Sequence, residues 1–310
     1  MREVRRISTS FIWLMAAREQ MRAIDNLTSA VGRQDKRMNQ DALVTLAQQT
    51  LAICAVGGYN APSGAHVRIA LALATAVAGT VLHAPGDVPG RGRNRFSSTA
   101  ITVHNETTLS ALRRLSGSDG QVAALNFASA RTPGGGFQRG AMAQEEALAY
   151  ASGLYPCLAQ VPAFYARNRE FGSAIYLDLA IFSPRVPFFR DDYGILLEAP
   201  ILASVISAAA PNARAIAERE PSAVGQVGLA LQRRADLVLA VAVAHGIDRL
   251  VLGAWGCGVF GNDPRAVARI FADLLGPSGP YERAFGQVVF AVLDRSASLE
   301  TFRAFEKALR

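Results

Sequence analysis

The sequence predicts an α/β layer fold built on a largely parallel or mixed sheet, and three observations lead there. From Ala100 to the C-terminus, short apolar runs alternate with segments of helical periodicity, the pattern of strands joined by helical crossovers. Half of the 310 residues are hydrophobic and only 18% are charged. Such a chain can bury a sizeable core, which excludes wholesale disorder. Two glycine-rich loops each follow a predicted strand and open a helix, at Gly134–Gly136 and at Gly253–Gly261.

The elements follow in order. The first fifty residues read mostly helical, and Asp41 to Cys54 carries Leu43, Leu46, Ala47, Leu51 and Cys54 at helical spacing. Gly57 to Gly64 is turn chemistry that opens an extended segment near His66. Ala100–His104 reads as a strand, Thr107–Leu115 as a helix and Gln121–Phe127 as a buried strand. One helix is expected over Gln144–Leu158, one strand over Ala174–Phe182 and another within Pro200–Ser207. Val224, Val227, Leu231, Ala235, Val238 and Ala242 share one face of a long amphipathic helix ending near His245. Arg249–Ala254 is a strand running into the second glycine loop. Asp263 is then the N-cap and Pro264 the first residue of a helix that Gly276 stops. A strand at Gln287–Leu293 and a helix at Leu299–Leu309 complete the chain.

Composition excludes several functions. The longest charge-free apolar stretch, Ile69 to Leu82, is interrupted by Thr75, Gly79 and Thr80, short of the ~20 apolar residues a membrane span needs. Cys54, Cys157 and Cys257 are too few and too dispersed for a disulfide framework or a zinc finger, and a reducing cytoplasm fits them best. His66, His83, His104 and His245 show no metal-ligand spacing, so neither metal nor cofactor is expected. The net charge is +7, and residues 1–38 hold eight basic and four acidic residues. Residues 1–39 are therefore a basic, partly helical arm able to attract a polyanion. No motif that reads a DNA sequence is present.

The first glycine loop carries the chemistry. A buried strand ends near Asn126, three consecutive glycines (Gly134, Gly135, Gly136) let the backbone approach a ligand, and Gln144-Glu145-Glu146 follows. Acids in a first helical turn suit the macrodipole, but capping alone gives no reason for the triple glycine. The second loop, Gly256-Cys257-Gly258-Val259-Phe260-Gly261-Asn262, offers backbone N–H groups at a strand end and suits a phosphate or diphosphate. It is not a Walker loop, since no Gly-Lys-Ser/Thr follows. Both loops at strand C-termini converge on one crevice: a nucleotide diphosphate with acid chemistry at its far end.

The run from Asn126 to Glu146 resembles the signature of bacterial-type poly(ADP-ribose) glycohydrolases: three glycines, a spacer from Phe137 to Ala143, then Gln-Glu-Glu. The Gly256–Asn262 run resembles that family's diphosphate loop. Gly58-Tyr59, Asn105–Thr108, Ser183–Val186 and Ala210–Asn212 also look familial, so the resemblance covers residues 40–310. It implies a macrodomain-like three-layer α/β fold with a mixed central sheet and an N-terminal helical extension. Residues 40–100 would be an accessory part and 101–310 the ADP-ribose-binding core. It also implies removal of ADP-ribose units from poly(ADP-ribose) by hydrolysis of the ribose–ribose O-glycosidic bond. The expected enzyme acts from the chain end, as a monomer, on poly(ADP-ribose) or ADP-ribose and on ADP-ribosylated proteins.

In that reading Glu146 is catalytic, Glu145 orients the terminal sugar, and Asn126 and Gln144 lie at the sugar. Gly134–Gly136 line its path, and Phe260 packs on the ribose beside the loop of Gly256, Cys257, Gly258, Val259, Gly261 and Asn262. Glu146 would protonate the departing 2′-oxygen and then activate water. Burial and the neighbouring negative charge of Glu145 would raise its pKa. Adjacent helical residues do not face each other, which favours a one-acid mechanism. Three alternatives remain open: a non-catalytic ADP-ribose-binding module, a mono-ADP-ribosyl hydrolase, and a Cys257 thiol activated at a helix N-terminus.

Overall fold

The structure, a computed structural model, describes residues 39–87, 94–117 and 120–309. The basic arm expected over residues 1–39 lies outside them except for Asn39.

Helix α1 (Gln40–Val56) starts where the side chain of Asn39 accepts a hydrogen bond from the Ala42 N–H at 2.8 Å. It ends at Gly57, whose φ of 76° suits glycine. A small antiparallel pair follows, β1 (Gly58–Asn60) with β2 (His66–Arg68). The apolar stretch at Ile69–Leu82 splits into helix α2 (Ala70–Ala78) and edge strand β3 (Val81–His83), neither of which the periodicity predicted. No helix among the described residues is long and apolar enough to cross a membrane.

Strand β4 (Ala100–His104) and helix α3 (Thr108–Leu115) are placed as predicted, with the Thr107 hydroxyl accepting from the Ser110 N–H as the N-cap. Next come β5 (Val122–Phe127), a 3-10 turn at Phe137–Arg139, and helix α4 (Gln144–Ala151). The single helix expected over Gln144–Leu158 is two: α4, and α5 (Leu154–Ala159). Between them Ser152 bridges to Phe188 and the Gly153 N–H donates to the Pro187 carbonyl, so pairing with a strand edge interrupts the helix. Helix α6 (Pro162–Phe171) went unread in the sequence.

Strand β6 (Ala180–Arg190) starts later and runs further than the expected Ala174–Phe182. Its prolines, Pro184 and Pro187, lie beyond the three residues that β3 covers. A register shift between Ser183 and Val186 absorbs Pro184 and Arg185, as prolines at an open edge require. Strand β7 (Leu196–Ala208), helix α7 (Ala213–Arg219) and a 3-10 segment at Pro221–Gln226 lead into helix α8 (Val227–Ala244). Val224 therefore falls in the 3-10 segment and is exposed, while Leu231, Ala235, Val238 and Ala242 form the buried stripe. Strand β8 (Arg249–Leu252), helix α9 (Pro264–Leu275), strand β9 (Gln287–Ala291) and helix α10 (Glu300–Ala308) complete the order. Asp263 caps α9 as predicted, accepting from the Arg265 N–H at 3.0 Å.

Seven strands form one mixed sheet in the order β3-β6-β7-β5-β8-β9-β4. Strand β6 is antiparallel to both neighbours, and the other neighbouring pairs are parallel. Alternate residues of each strand face opposite layers. Ala123, Leu125, Leu250, Val288 and Phe290 meet α8, α9 and α10. Val122, Ala124, Val251 and Val289 meet α3 through α6. Helix α1 packs outside these layers through Leu43, Leu46 and Ala47, against Phe137, Ala149 and Tyr150. A helix remote in sequence thus rests on the segment between the glycines and Gln144.

Candidate active site

Strands β5 and β8 are parallel neighbours near the middle of the sheet, with Val122 opposite Arg249. The two glycine loops leave their C-terminal ends side by side, as the sequence predicted. A Cβ placed on Gly253 would lie 3.1 Å from Cζ of Phe127, so the loops touch at their roots.

Gln144 locks α4 to the end of β5. Its Oε1 accepts from the Phe127 N–H at 2.8 Å, and its Nε2 donates to the Leu125 carbonyl at 2.8 Å and the Thr108 hydroxyl at 3.1 Å. The amide expected at the sugar is engaged by protein on both ends. What it does is fix the first turn of α4, where Glu145 and Glu146 sit, 3% and 8% exposed.

The acids face different supports. Glu145 Oε2 accepts from the Ser129 N–H at 2.6 Å, and Oε1 from Asn126 Nδ2 at 3.3 Å. Asn126 also donates to the Ser207 hydroxyl at 3.0 Å. It is fully buried and its Oδ1 has no partner among the described residues, so Asn126 lies beneath Glu145 as its support. Glu146 Oε1 accepts from the Gly136 N–H at 2.8 Å, and Oε2 from the Ala143 N–H at 3.0 Å. Two backbone donors thereby aim the second acid across the glycine loop.

The carboxylates converge through that loop even though their side chains leave the helix in different directions. A Cβ on Gly135 would lie 2.2 Å from Glu146 Oε1 and 3.1 Å from Glu145 Oε2. With φ at 59°, Gly135 is a position where only glycine leaves both oxygens in place. Gly135→Ala is therefore expected to push the Glu146 carboxyl aside and lower turnover by about 10²-fold, the usual penalty for an ångström of misplacement. A steady-state assay of a folded Gly135→Ala protein checks this, and a wild-type rate would refute the geometry.

Burial pushes the Glu145 carboxyl up to about 8, against the pull of the Ser129 N–H, the Asn126 amide and the Gly134 N–H; nearby Glu146 adds to the rise. The group so raised is Glu145, the deeper of the two acids. A raised carboxyl binds its proton more tightly folded than unfolded. Its contribution is complete below the ordinary carboxylate pKa and is lost as pH climbs through about 8. The unfolding free energy from urea titrations should fall across that window by at most about 1.4 kcal/mol per pH unit, and Glu145→Gln should flatten the slope. An unchanged slope in that variant contradicts the assignment.

The second loop closes on itself around Asn262. Its Nδ2 donates to the Pro211 carbonyl at 2.9 Å and the Gly256 carbonyl at 3.0 Å. A Cβ on Gly256, where φ is 73°, would meet that same Nδ2 at 2.4 Å. Asn262 is 3% exposed and acts as the strut of the loop. The N–H groups of Gly258, Val259 and Phe260 have no partner among the described residues, and a Cβ on Gly258 would meet nothing within 4 Å. Val259 is exposed. The Phe260 ring is half-buried, 6.3 Å from that of Tyr176, and its carbonyl accepts from the Arg214 N–H. Burial pushes the Cys257 thiol up to about 12, opposite to what a nucleophile needs, so packing is the role its surroundings suit. Among the described residues no three His, Cys, Asp or Glu side chains group as metal ligands.

Several positioning residues went unread in the sequence. Tyr150, one turn beyond Glu146, donates its O–H to the Phe137 and Ala141 carbonyls, both at 2.8 Å, and ties down the spacer. Its i+4 spacing was a usable signal. Ser129, Ser207 and Thr108 carried none, because their bonds cross from other strands and helices.

A mixed sheet that carries a loop of unpartnered amides and two buried carboxyls at the ends of neighbouring strands suits a sugar-nucleotide ligand and the acid chemistry of a glycosidase. The comparisons agree. Residues 47–191 match the model of the microbial-type PARG catalytic domain. The structure of poly(ADP-ribose) glycohydrolase from Thermomonospora curvata is 47% identical, with a TM-score of 0.82, covering 86% of this chain and 99% of that one. The same enzyme bound to the inhibitor ADP-HPD matches at 47% identity and a TM-score of 0.79, with the same coverage. The Deinococcus radiodurans glycohydrolase in complex with ADP-ribose is 48% identical, TM-score 0.73, over 77% of this chain and 97% of that one. No curated protein matches. The chain belongs to the bacterial poly(ADP-ribose) glycohydrolase family.

Proposed function

We propose that this protein hydrolyses the ribose–ribose O-glycosidic bond of poly(ADP-ribose) and releases ADP-ribose from the chain end. The observation that carries the reading is the convergence of Glu145 and Glu146 over Gly135, beside a loop with three unpartnered N–H groups. The diphosphate of the terminal unit rests on the amides of Gly258, Val259 and Phe260, and Phe260 packs on its ribose. That ribose lies along Gly134–Gly136. Its anomeric carbon is then next to Glu146, whose oxygens each keep a lone pair beyond their backbone bond.

Cleavage passes through an oxocarbenium-like transition state, so the leaving 2′-oxygen needs a proton. Glu146 supplies it and then, as carboxylate, takes a proton from the attacking water. Glu145, holding its proton near neutrality, hydrogen-bonds the sugar hydroxyls, and Asn126 and Gln144 act through the acids they position. Residues 40–310 work as one unit with a macrodomain core, because α1 packs on the spacer next to Glu146.

The test is direct. Incubated with poly(ADP-ribose), the protein should release free ADP-ribose, read by chromatography. Tight ADP-ribose binding with no release would select the non-catalytic reading. Release from mono-modified protein but not from polymer would select the mono-ADP-ribosyl hydrolase.

A further inference from the structure

The spacer between the glycines and Gln144 is held rigidly. Inside it, the Arg139 N–H donates to the Gly136 carbonyl at 2.9 Å and the Gly140 N–H to the Phe137 carbonyl at 3.1 Å. From outside, Tyr150 fixes Phe137 and Ala141. Gln40, the first residue of α1, donates from Nε2 to the Arg139 carbonyl at 2.9 Å. A Cβ on Gly140 would strike the Gln40 carbonyl at 2.5 Å. The backbone of Arg139 is therefore pinned on both sides.

Its side chain is exposed and projects from this fixed backbone. A Cβ on Gly136 would lie 3.7 Å from Arg139 Nη2 and 3.7 Å from Glu146 Oε1. The guanidinium and the Glu146 carboxyl thus lie on the same stretch of the glycine loop, within about 7.4 Å of each other, and among the described residues the guanidinium makes no ion pair with Glu146 or any other acid. An uncompensated guanidinium on a fixed backbone is a ready partner for a phosphate.

Poly(ADP-ribose) carries a diphosphate on both sides of every ribose–ribose bond. The second loop takes the one belonging to the terminal unit. The other belongs to the leaving unit, whose 2′-oxygen receives the proton from Glu146. We infer that Arg139 binds the diphosphate of the leaving ADP-ribose unit, and so makes the site prefer polymer over a single ADP-ribosyl group. This rests on the glycohydrolase reading above, and it assigns Arg139 to substrate positioning with no part in proton transfer.

Steady-state kinetics on poly(ADP-ribose) for wild type, Arg139→Gln and Arg139→Lys test it. Release of ADP-ribose by the wild type checks the underlying reading separately. Arg139→Gln should raise KM for polymer about five- to tenfold, with a smaller change in kcat, and ADP-ribose affinity should match wild type. The dependence of log KM on log salt should weaken by roughly 0.7, one phosphate contact on a single strand. Arg139→Lys should restore most of the KM, and the thermal midpoint should stay put in both variants. An unchanged KM and salt slope overturns the inference. So does a loss of ADP-ribose affinity, which would put the contact on the terminal unit. A fall in kcat with a displaced pH profile at constant KM also overturns it, because the guanidinium would then act on Glu146.

Discussion

Glu146→Gln should lower glycohydrolase turnover by about 10²–10⁴-fold, the range general acid–base groups supply, while ADP-ribose affinity persists. The substitution keeps the side chain's shape and removes its proton. It also has a structural cost visible in the site. Both Glu146 oxygens accept from backbone N–H groups, those of Gly136 and Ala143. A glutamine must turn its NH2 toward one of them, leaving a donor facing a donor. Stability should therefore drop by about 1–3 kcal/mol, small enough for a 310-residue protein to stay folded. Calorimetry with ADP-ribose on the purified variant, beside a polymer assay, separates the two effects. Wild-type turnover would remove Glu146 from the acid role. Lost turnover together with lost ADP-ribose binding would mean that the loop had collapsed.

Arg234→Met should cost about 3–5 kcal/mol of stability. Arg234 has no exposed side-chain surface, and its Nη2 lies 3.1 Å from Asp178 Oδ1. The same guanidinium donates to the Ala209, Ile175 and Tyr176 carbonyls, and burial pulls its pKa below the ordinary arginine value. Removing it strands three buried carbonyls, while the Asp178 carboxylate, partly exposed, keeps only Arg233, whose Nε donates to it at 2.7 Å. The segment it holds runs from Ala209 to Pro211, whose carbonyl anchors Asn262 in the second loop. A shift of the urea midpoint, with weaker ADP-ribose binding by the remaining folded protein, is the expected result. Lysine should not rescue, because one ammonium cannot reproduce the planar fork. An unchanged midpoint would show that the network carries little net energy.

The sequence and structure agree most where the signal was local. Asp263-Pro264 marked a helix start because capping is decided within four residues. The β5 and β8 strands were legible because both faces are buried, which leaves continuous apolar runs. The break at Ser152-Gly153 was misread although its signal is local: Gly153 and Pro156 both oppose a continuous helix over Gln144–Leu158, and the edge of β6 takes up the backbone groups freed there. The long β6 was misread because Pro184 and Pro187 argue against a strand, unless an open edge and a register shift accommodate them.

In the site, the elements to which we assign the chemistry were legible in the chain: three glycines, two acids and a second glycine loop need only their order and spacing to be picked out. Which acid lies deeper, and hence that burial raises the Glu145 carboxyl, was decided by the tertiary structure. Burial of Glu145 over Asn126 depends on β7 supplying Ser207 from 81 residues away. The aim of Glu146 likewise depends on a spacer that α1 and Tyr150 brace. Side-chain protonation and orientation are set by desolvation and by hydrogen bonds from distant segments. Neighbours along the chain carry neither, so only the folded molecule could determine them.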